Sequence, residues 1–164
     1  MSLKINQDYL RSSVFGFQDA LVSTTGVVVG ISAAVSDPKF IILSAFITVS
    51  VEALSMAAGQ YLSEKSVHDL PASHHHDNLV FGGLLMFFSY IIGGLIPIIP
   101  LFFTHYPLTS FLSVLFAFIG LFLLGFIKAK LFSGKVWRSA LEMLIIGGLT
   151  TLIGLGVGLI LKIN

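Results

Sequence analysis

The sequence contains no cysteine, which excludes disulfide bonds, thiolate metal sites and cysteine-bound iron–sulfur clusters. Charged residues are also scarce, at 10% of 164 residues, against about 25% in a typical soluble domain. The formal net charge is only +1, and no basic stripe of the kind that binds nucleic acid is present. The motifs of phosphate loops, dinucleotide sites and activated nucleophiles are missing as well. We therefore expect neither an enzyme nor a nucleic-acid-binding protein.

Long apolar segments dominate what is present, and 55% of all residues are hydrophobic. About 20 apolar residues in a helix suffice to cross the hydrocarbon core of a bilayer. The predicted spans are residues 14–35, 40–66, 79–103, 108–131 and 136–161. The sequence thus predicts an all-α integral membrane protein with five transmembrane helices, a single domain over residues 1–164 and the lipid bilayer as its surroundings.

The distribution of lysine and arginine predicts the orientation, because these residues accumulate in short cytoplasmic loops. With a cytoplasmic N-terminus, only Lys39 and Lys162 lie outside. The basic residues that then lie inside are Lys4, Arg11, Lys65, Lys128, Lys130, Lys135 and Arg138. We therefore expect the N-terminus inside and the C-terminus outside. The expected location is the cytoplasmic membrane of the cell, with a vacuolar membrane as the alternative.

The second span carries a polar stripe. Glu52, Met56 and Gln60 follow one another at steps of four, so a helix places them on one face. A carboxylate near mid-membrane is costly unless it meets water, a partner or an ion. A thioether one turn away adds a soft ligand to a hard one, a combination that suits transition metals. The stripe therefore predicts part of a metal pathway.

The first span carries a second carboxylate, Asp19, with Ser23 one turn later. Gly26 and Gly30 form a GxxxG pair, and small residues let helices approach closely. We expect this face to meet the second span or another copy of the chain. A homodimer would supply the second half of a transport pathway through its two-fold axis.

Each of these residues also has a structural interpretation. Asp19 could be a helix N-terminal charge near the headgroups, and Glu52 a buried carboxylate hydrogen-bonded to a neighbouring helix. Met56 alone would be a flexible core filler, and Gln60 an interfacial anchor.

A histidine-rich loop follows the second span. Its members are His68, His74, His75, His76 and Asp77. Short His-rich tracts can bind metal, so this loop is a weak candidate for a cytoplasmic collector of metal ions, with an ordinary solvated loop as the alternative.

Three patterns together resemble a known family. They are DALVSTTGVVVGISAA on the first span, ALSMAAGQYLSEKS at the end of the second, and GGLIPIIPLFF at the end of the third. With five spans, they resemble the vacuolar iron transporter family. The resemblance covers the transmembrane part of the chain, and the SMAAGQYLS segment is its most specific piece. Only VHDLPASHHHDN joins the second and third spans, so the chain resembles the short, bacterial or nodulin-like branch without the cytoplasmic metal-binding helical domain.

The resemblance implies a homodimer with an ion path between the first and second helices at the dimer interface. It also implies export of Fe²⁺, and often Mn²⁺, from the cytoplasm in exchange for protons. Asp19 and Met56 match the family motifs and are implied to line the path. Glu52 is a candidate because of its position in the second span and not because of a motif match. The glutamate of the plant-type transporters lies earlier in that span.

The resulting hypothesis is a proton-coupled exporter of Fe²⁺ and/or Mn²⁺ with no resident cofactor, in which the metal is the cargo. Its path residues are Asp19, Glu52, Met56 and Gln60. Two other classes stay open. One is a proton or cation channel that uses the same carboxylates, and the other is a non-transporting membrane scaffold in which they pair structurally.

Overall fold

The computed structural model describes residues 7–69, 78–104, 107–131 and 135–162, and within them every regular element is helical. The five α-helices are α1 (Gln7–Ala34), α2 (Pro38–His68), α3 (Leu79–Ile98), α4 (Leu108–Leu131) and α5 (Val136–Ile160). A short 3-10 helix, Ile99–Phe102, continues α3. All five α-helices are long and apolar enough to cross a membrane. The prediction of an all-α protein with five membrane-length helices is confirmed.

Local signals in the sequence account for where α2 and α3 begin. The Asp37 carboxylate accepts a hydrogen bond from the Lys39 amide at 3.0 Å, and Pro38 occupies the first turn, where its missing N–H is not needed. Asn78 caps α3 in the same way, accepting from the Phe81 amide at 3.1 Å. Such side-chain acceptors satisfy amides that have no partner inside the helix.

Helix α1 lies at the centre of the bundle and packs against all four other helices. On one side Ala20 and Val28 join a core cluster with residues of α2 and α3. On the other side Leu21 and Val22 join a second cluster with residues of α4 and α5. Large apolar side chains elsewhere are exposed, among them Leu54 of α2 and Leu152 of α5. In a membrane protein these outer side chains face lipid.

Glycines bring α1 and α5 into close contact. A Cβ atom added at Gly30 would lie 2.7 Å from the carbonyl oxygen of Gly154. Cβ atoms added at Gly154 and Gly158 would overlap the carbonyl oxygens of Gly26 and Gly30. The GxxxG pair of the first span therefore packs on the GxxxG pair of α5 in the same chain, a contact that was not predicted from the sequence. Ser23 on the same helix contacts the second span, as expected.

Candidate functional site

Three helices meet at a polar cluster formed by Ser23 of α1, Glu52 of α2 and Tyr90 of α3. Ser23 Oγ donates to Glu52 Oε2 at 3.1 Å and lies 2.7 Å from the Tyr90 hydroxyl oxygen. The Tyr90 hydroxyl donates to the same Oε2 atom. Tyr90 is fully buried, although Ser23 and Glu52 are only partly buried. We call these three residues the Glu52 cluster.

Asp19 lies one helical turn before Ser23, on the same side of α1. Its carboxylate is partly buried and interacts electrostatically with that of Glu52. Among the described residues no donor or cation pairs with Asp19. These two carboxylates repel each other, and among the described residues neither forms an ion pair with a lysine or arginine. A divalent cation would neutralise the negative charge that they form together.

Met56 lies one turn from Glu52 along α2 and is partly buried. It packs against the core cluster that α1, α2 and α3 share. Its side chain thus follows Glu52 on the same face of α2 and also contacts the core. This packing agrees with the core-filler interpretation, and the ligand interpretation stays a prediction.

Gln60 belongs to a different network at the next turns of α2. Its Nε2 donates to Glu64 Oε1 at 3.1 Å. Arg11 of α1 pairs with that same oxygen at 2.5 Å and with Asp8 at 3.3 Å. Glu64 is only 9% exposed, and its ion pair with Arg11 joins the start of α1 to the end of α2. We call this network the α1–α2 latch.

A groove opens sideways between α2 and α5 over the face of α1. It has a volume of about 620 Å³. The residues that matter for its shape are Ser23, Gly26, Val27, Gly30, Thr48 and Gly154. Ser23 also belongs to the Glu52 cluster, so the groove ends at the polar centre of the bundle. Its wall is largely apolar and made of small residues, which suits contact with another helix.

The structure therefore places Asp19 within electrostatic range of Glu52 and Met56 one turn from Glu52 along α2, and it hydrogen-bonds Gln60 to Glu64. His68 is the last residue of α2. His74, His75, His76 and Asp77 lie outside the described residues. Within the described part of the chain, no group of three or more His, Asp or Glu side chains is close enough to hold a metal ion. Among those residues, one copy offers the candidate site two carboxylates and no imidazole.

Sequence reasoning missed Tyr90 and the ion pair between Arg11 and Glu64. Tyr90 stands in the apolar segment FFSYIIGG, where a lone phenol is a weak signal because tyrosine is common in apolar surroundings. Glu64 does continue the stripe of the second span at a step of four. Its partner on α1 lies 53 positions away along the chain, which periodicity does not reveal.

Five membrane-length helices around a polar centre define a multi-pass membrane protein. Comparison with protein families then gives a match to the VIT family over residues 10–79 and 71–159. The chain belongs to the VIT family, which confirms the resemblance seen in its sequence motifs.

Curated relatives agree over most of the chain. It is 29% identical over 167 residues to vacuolar iron transporter homolog 2 of Arabidopsis thaliana, covering 90% of this chain and 85% of the relative. It is 25% identical over 162 residues to vacuolar iron transporter homolog 5 of Oryza sativa subsp. japonica, covering 90% and 77%. Vacuolar iron transporter homolog 1 of Arabidopsis thaliana is 40% identical over 62 residues, covering 38% and 31%.

Proposed function

We propose that this protein exports a divalent transition metal, Fe²⁺ and/or Mn²⁺, from the cytoplasm in exchange for protons. Membership of the VIT family, with relatives named as iron transporters, supports metal transport in general. The observation that carries the proposal is the Glu52 cluster, in which Ser23 and Tyr90 contact the carboxylate, together with a second carboxylate, Asp19, one helical turn from Ser23. Such a pair favours a divalent cation or protons as its neutralising partner.

The ligand types favour a transition metal over Mg²⁺ or Ca²⁺. The carboxylates of Asp19 and Glu52 would bind any divalent cation. The thioether of Met56 is a soft ligand that favours transition metals, because Mg²⁺ and Ca²⁺ prefer oxygen ligands. Gln60 would join only when its contact with Glu64 breaks. The metal ion is the cargo of this mechanism, and no resident cofactor takes part.

Coupling to protons follows from competition for the same oxygens. Metal ions bind deprotonated carboxylates, so loading releases protons and protonation discharges the metal. A site that alternates between the two sides of the membrane would load metal inside and exchange it for protons outside. We place the protein in the cytoplasmic membrane with the N-terminus inside, and a vacuolar membrane would give the same direction relative to the cytoplasm.

A homodimer would complete the pathway. One copy offers two carboxylates and a thioether, and the described residues provide no third acidic or imidazole ligand nearby. The groove between α2 and α5 leads to Ser23, and a second copy seated there would bring its own Asp19 and Glu52 towards the first pair. Four carboxylates could then neutralise one divalent cation and still exchange protons.

The test is transport by purified protein in liposomes with an imposed pH gradient. We expect Mn²⁺ and Fe²⁺ uptake in the wild type, and little of either in Asp19→Asn. Met56→Ala should reduce Fe²⁺ uptake more than Mn²⁺ uptake, because sulfur favours the softer ion. Metal uptake that survives both substitutions would contradict the proposal, and uptake without any pH gradient would favour the channel alternative.

The scaffold alternative has an observation of its own, because the hydrogen bonds of Glu52 tie α1, α2 and α3 together. It predicts that Glu52→Gln lowers the melting temperature or breaks the dimer, and that neither the wild type nor the variants move metal across the membrane. Size-exclusion chromatography and thermal unfolding of the same samples separate the two interpretations.

A further inference from the structure

Tyr90 lies outside the sequence motifs, yet its hydroxyl donates a hydrogen bond to Glu52. The hydroxyls of Tyr90 and Ser23 both reach Oε2 of Glu52. The other carboxylate oxygen, Oε1, has no hydrogen-bond donor among the described residues. One oxygen of Glu52 is therefore held by the protein, and the other is left for a ligand.

The surrounding core holds the Tyr90 ring rigidly. Its side chain is fully buried in the core cluster shared by α1, α2 and α3. Close packing restrains the buried ring even if the Glu52 side chain changes its rotamer, so the position of the Tyr90 hydroxyl is fixed by the core. Ser23 Oγ lies 2.7 Å from the same hydroxyl oxygen. With the Tyr90 proton donated to Oε2, the single Ser23 proton goes either to Oε2 or to the Tyr90 oxygen, so Tyr90 is the stronger donor to Oε2.

We propose that Tyr90 is a positioning residue of this site: it holds Oε2 of Glu52 so that the carboxylate offers a transported cation only Oε1. This inference rests on the proposed metal transport. A carboxylate that coordinates through one oxygen (monodentate) suits small transition-metal ions with few ligands. Ca²⁺ instead takes six to eight oxygens and readily binds both oxygens of one carboxylate. Tyr90 thereby contributes to selection against Ca²⁺ without touching the metal.

The experiment is Tyr90→Phe, which removes the hydroxyl and keeps the buried ring. Partners that orient a ligand typically change metal affinity by 10–100-fold when lost, so we expect the KM for Mn²⁺ to rise about tenfold. We expect kcat to stay within about twofold, because the change acts on binding. The Ca²⁺ concentration that half-inhibits Mn²⁺ uptake should fall by about threefold or more, since the freed carboxylate can offer both oxygens.

Tyr61→Phe is the matched control. Tyr61 is a partly buried tyrosine of α2 that makes no hydrogen bond to the described residues through its hydroxyl. We expect its KM and Ca²⁺ inhibition to equal those of the wild type. Ser23→Ala removes the weaker donor and should shift both quantities in the same direction by less, and it replaces Tyr90→Phe if that variant fails to fold.

Direct binding separates this inference from the proposed function. Mn²⁺ binding to purified protein, followed by electron paramagnetic resonance, should weaken about tenfold in Tyr90→Phe. Unchanged Mn²⁺ affinity and unchanged Ca²⁺ inhibition overturn the positioning role while transport by the wild type stands. Binding without transport in the wild type overturns the proposed function alone, and a wild type that neither binds nor transports overturns both.

Discussion

At the scale of single residues, the centre of the bundle is defined by what each oxygen of Glu52 contacts. Burying a carboxylate is costly unless hydrogen bonds or a cation compensate it. Ser23 and Tyr90 supply two donors to one oxygen, and Asp19 adds like charge nearby. The protein thus supplies hydrogen bonds to one carboxylate oxygen of Glu52 and leaves the other without a donor among the described residues. This is the condition expected of a site that takes up a positive ion.

Glu52→Gln tests this at the residue itself. The amide keeps the size of the side chain and can still accept from Tyr90, but it carries no charge. We expect Mn²⁺ uptake at low metal concentration to fall at least about tenfold, which corresponds to about 1.4 kcal/mol of lost binding. The melting temperature should change little. A Gln variant that transports normally would exclude Glu52 as a ligand.

At the scale of helices, the contact between α1 and α5 depends on the absence of side chains. The Cβ atom of an alanine at Gly154 would overlap backbone atoms of Gly26, whereas one at Gly156 would meet nothing within 4 Å. Backbone cannot move aside as a flexible side chain can, so the helices would have to separate.

The matched pair Gly154→Ala and Gly156→Ala follows from this difference. We expect Gly154→Ala to destabilise the protein by about 1–3 kcal/mol through overpacking. Gly156→Ala should leave stability unchanged or raise it by up to about 1 kcal/mol, because alanine is the better helix former. Thermal unfolding in detergent measures both. Equal effects at the two positions would show that the glycine contact does not control packing.

The α1–α2 latch is a second interhelical contact with a measurable consequence. Arg11→Ala leaves Glu64 buried without its cation, which should cost about 1–3 kcal/mol. The double variant Arg11→Ala/Glu64→Gln should recover part of that loss, since the uncompensated charge is gone. A double variant as unstable as the sum of the two single variants would show that the residues act independently.

At the scale of the whole molecule, the orientation in the membrane sets the direction of the proposed transport. The distribution of lysine and arginine predicts the α1–α2 turn outside and the segment between α4 and α5 inside. Ser36 and Lys135 are exposed positions in these two connections. The chain has no native cysteine, so a single introduced cysteine reports on its own position.

Labelling intact cells with a membrane-impermeant maleimide tests the orientation. We expect Ser36→Cys to react at once and Lys135→Cys to react only after the membrane is permeabilised. The reverse pattern would place the N-terminus outside and would invert the proposed direction of metal movement.

Much of this molecule follows from the sequence alone. Membrane helices satisfy their backbone hydrogen bonds within the segment, so length and hydropathy suffice to locate all five. The same local reasoning identified Asp19 and Glu52, because a carboxylate inside an apolar span is conspicuous without knowledge of its neighbours.

The tertiary structure decided which of these residues meet. Tyr90 joins Glu52 across 38 positions of the chain, and Arg11 joins Glu64 across 53. It also paired the glycines of α1 with those of α5. These contacts depend on how separate helices pack, and helical periodicity shows only which face a residue occupies, not what that face meets.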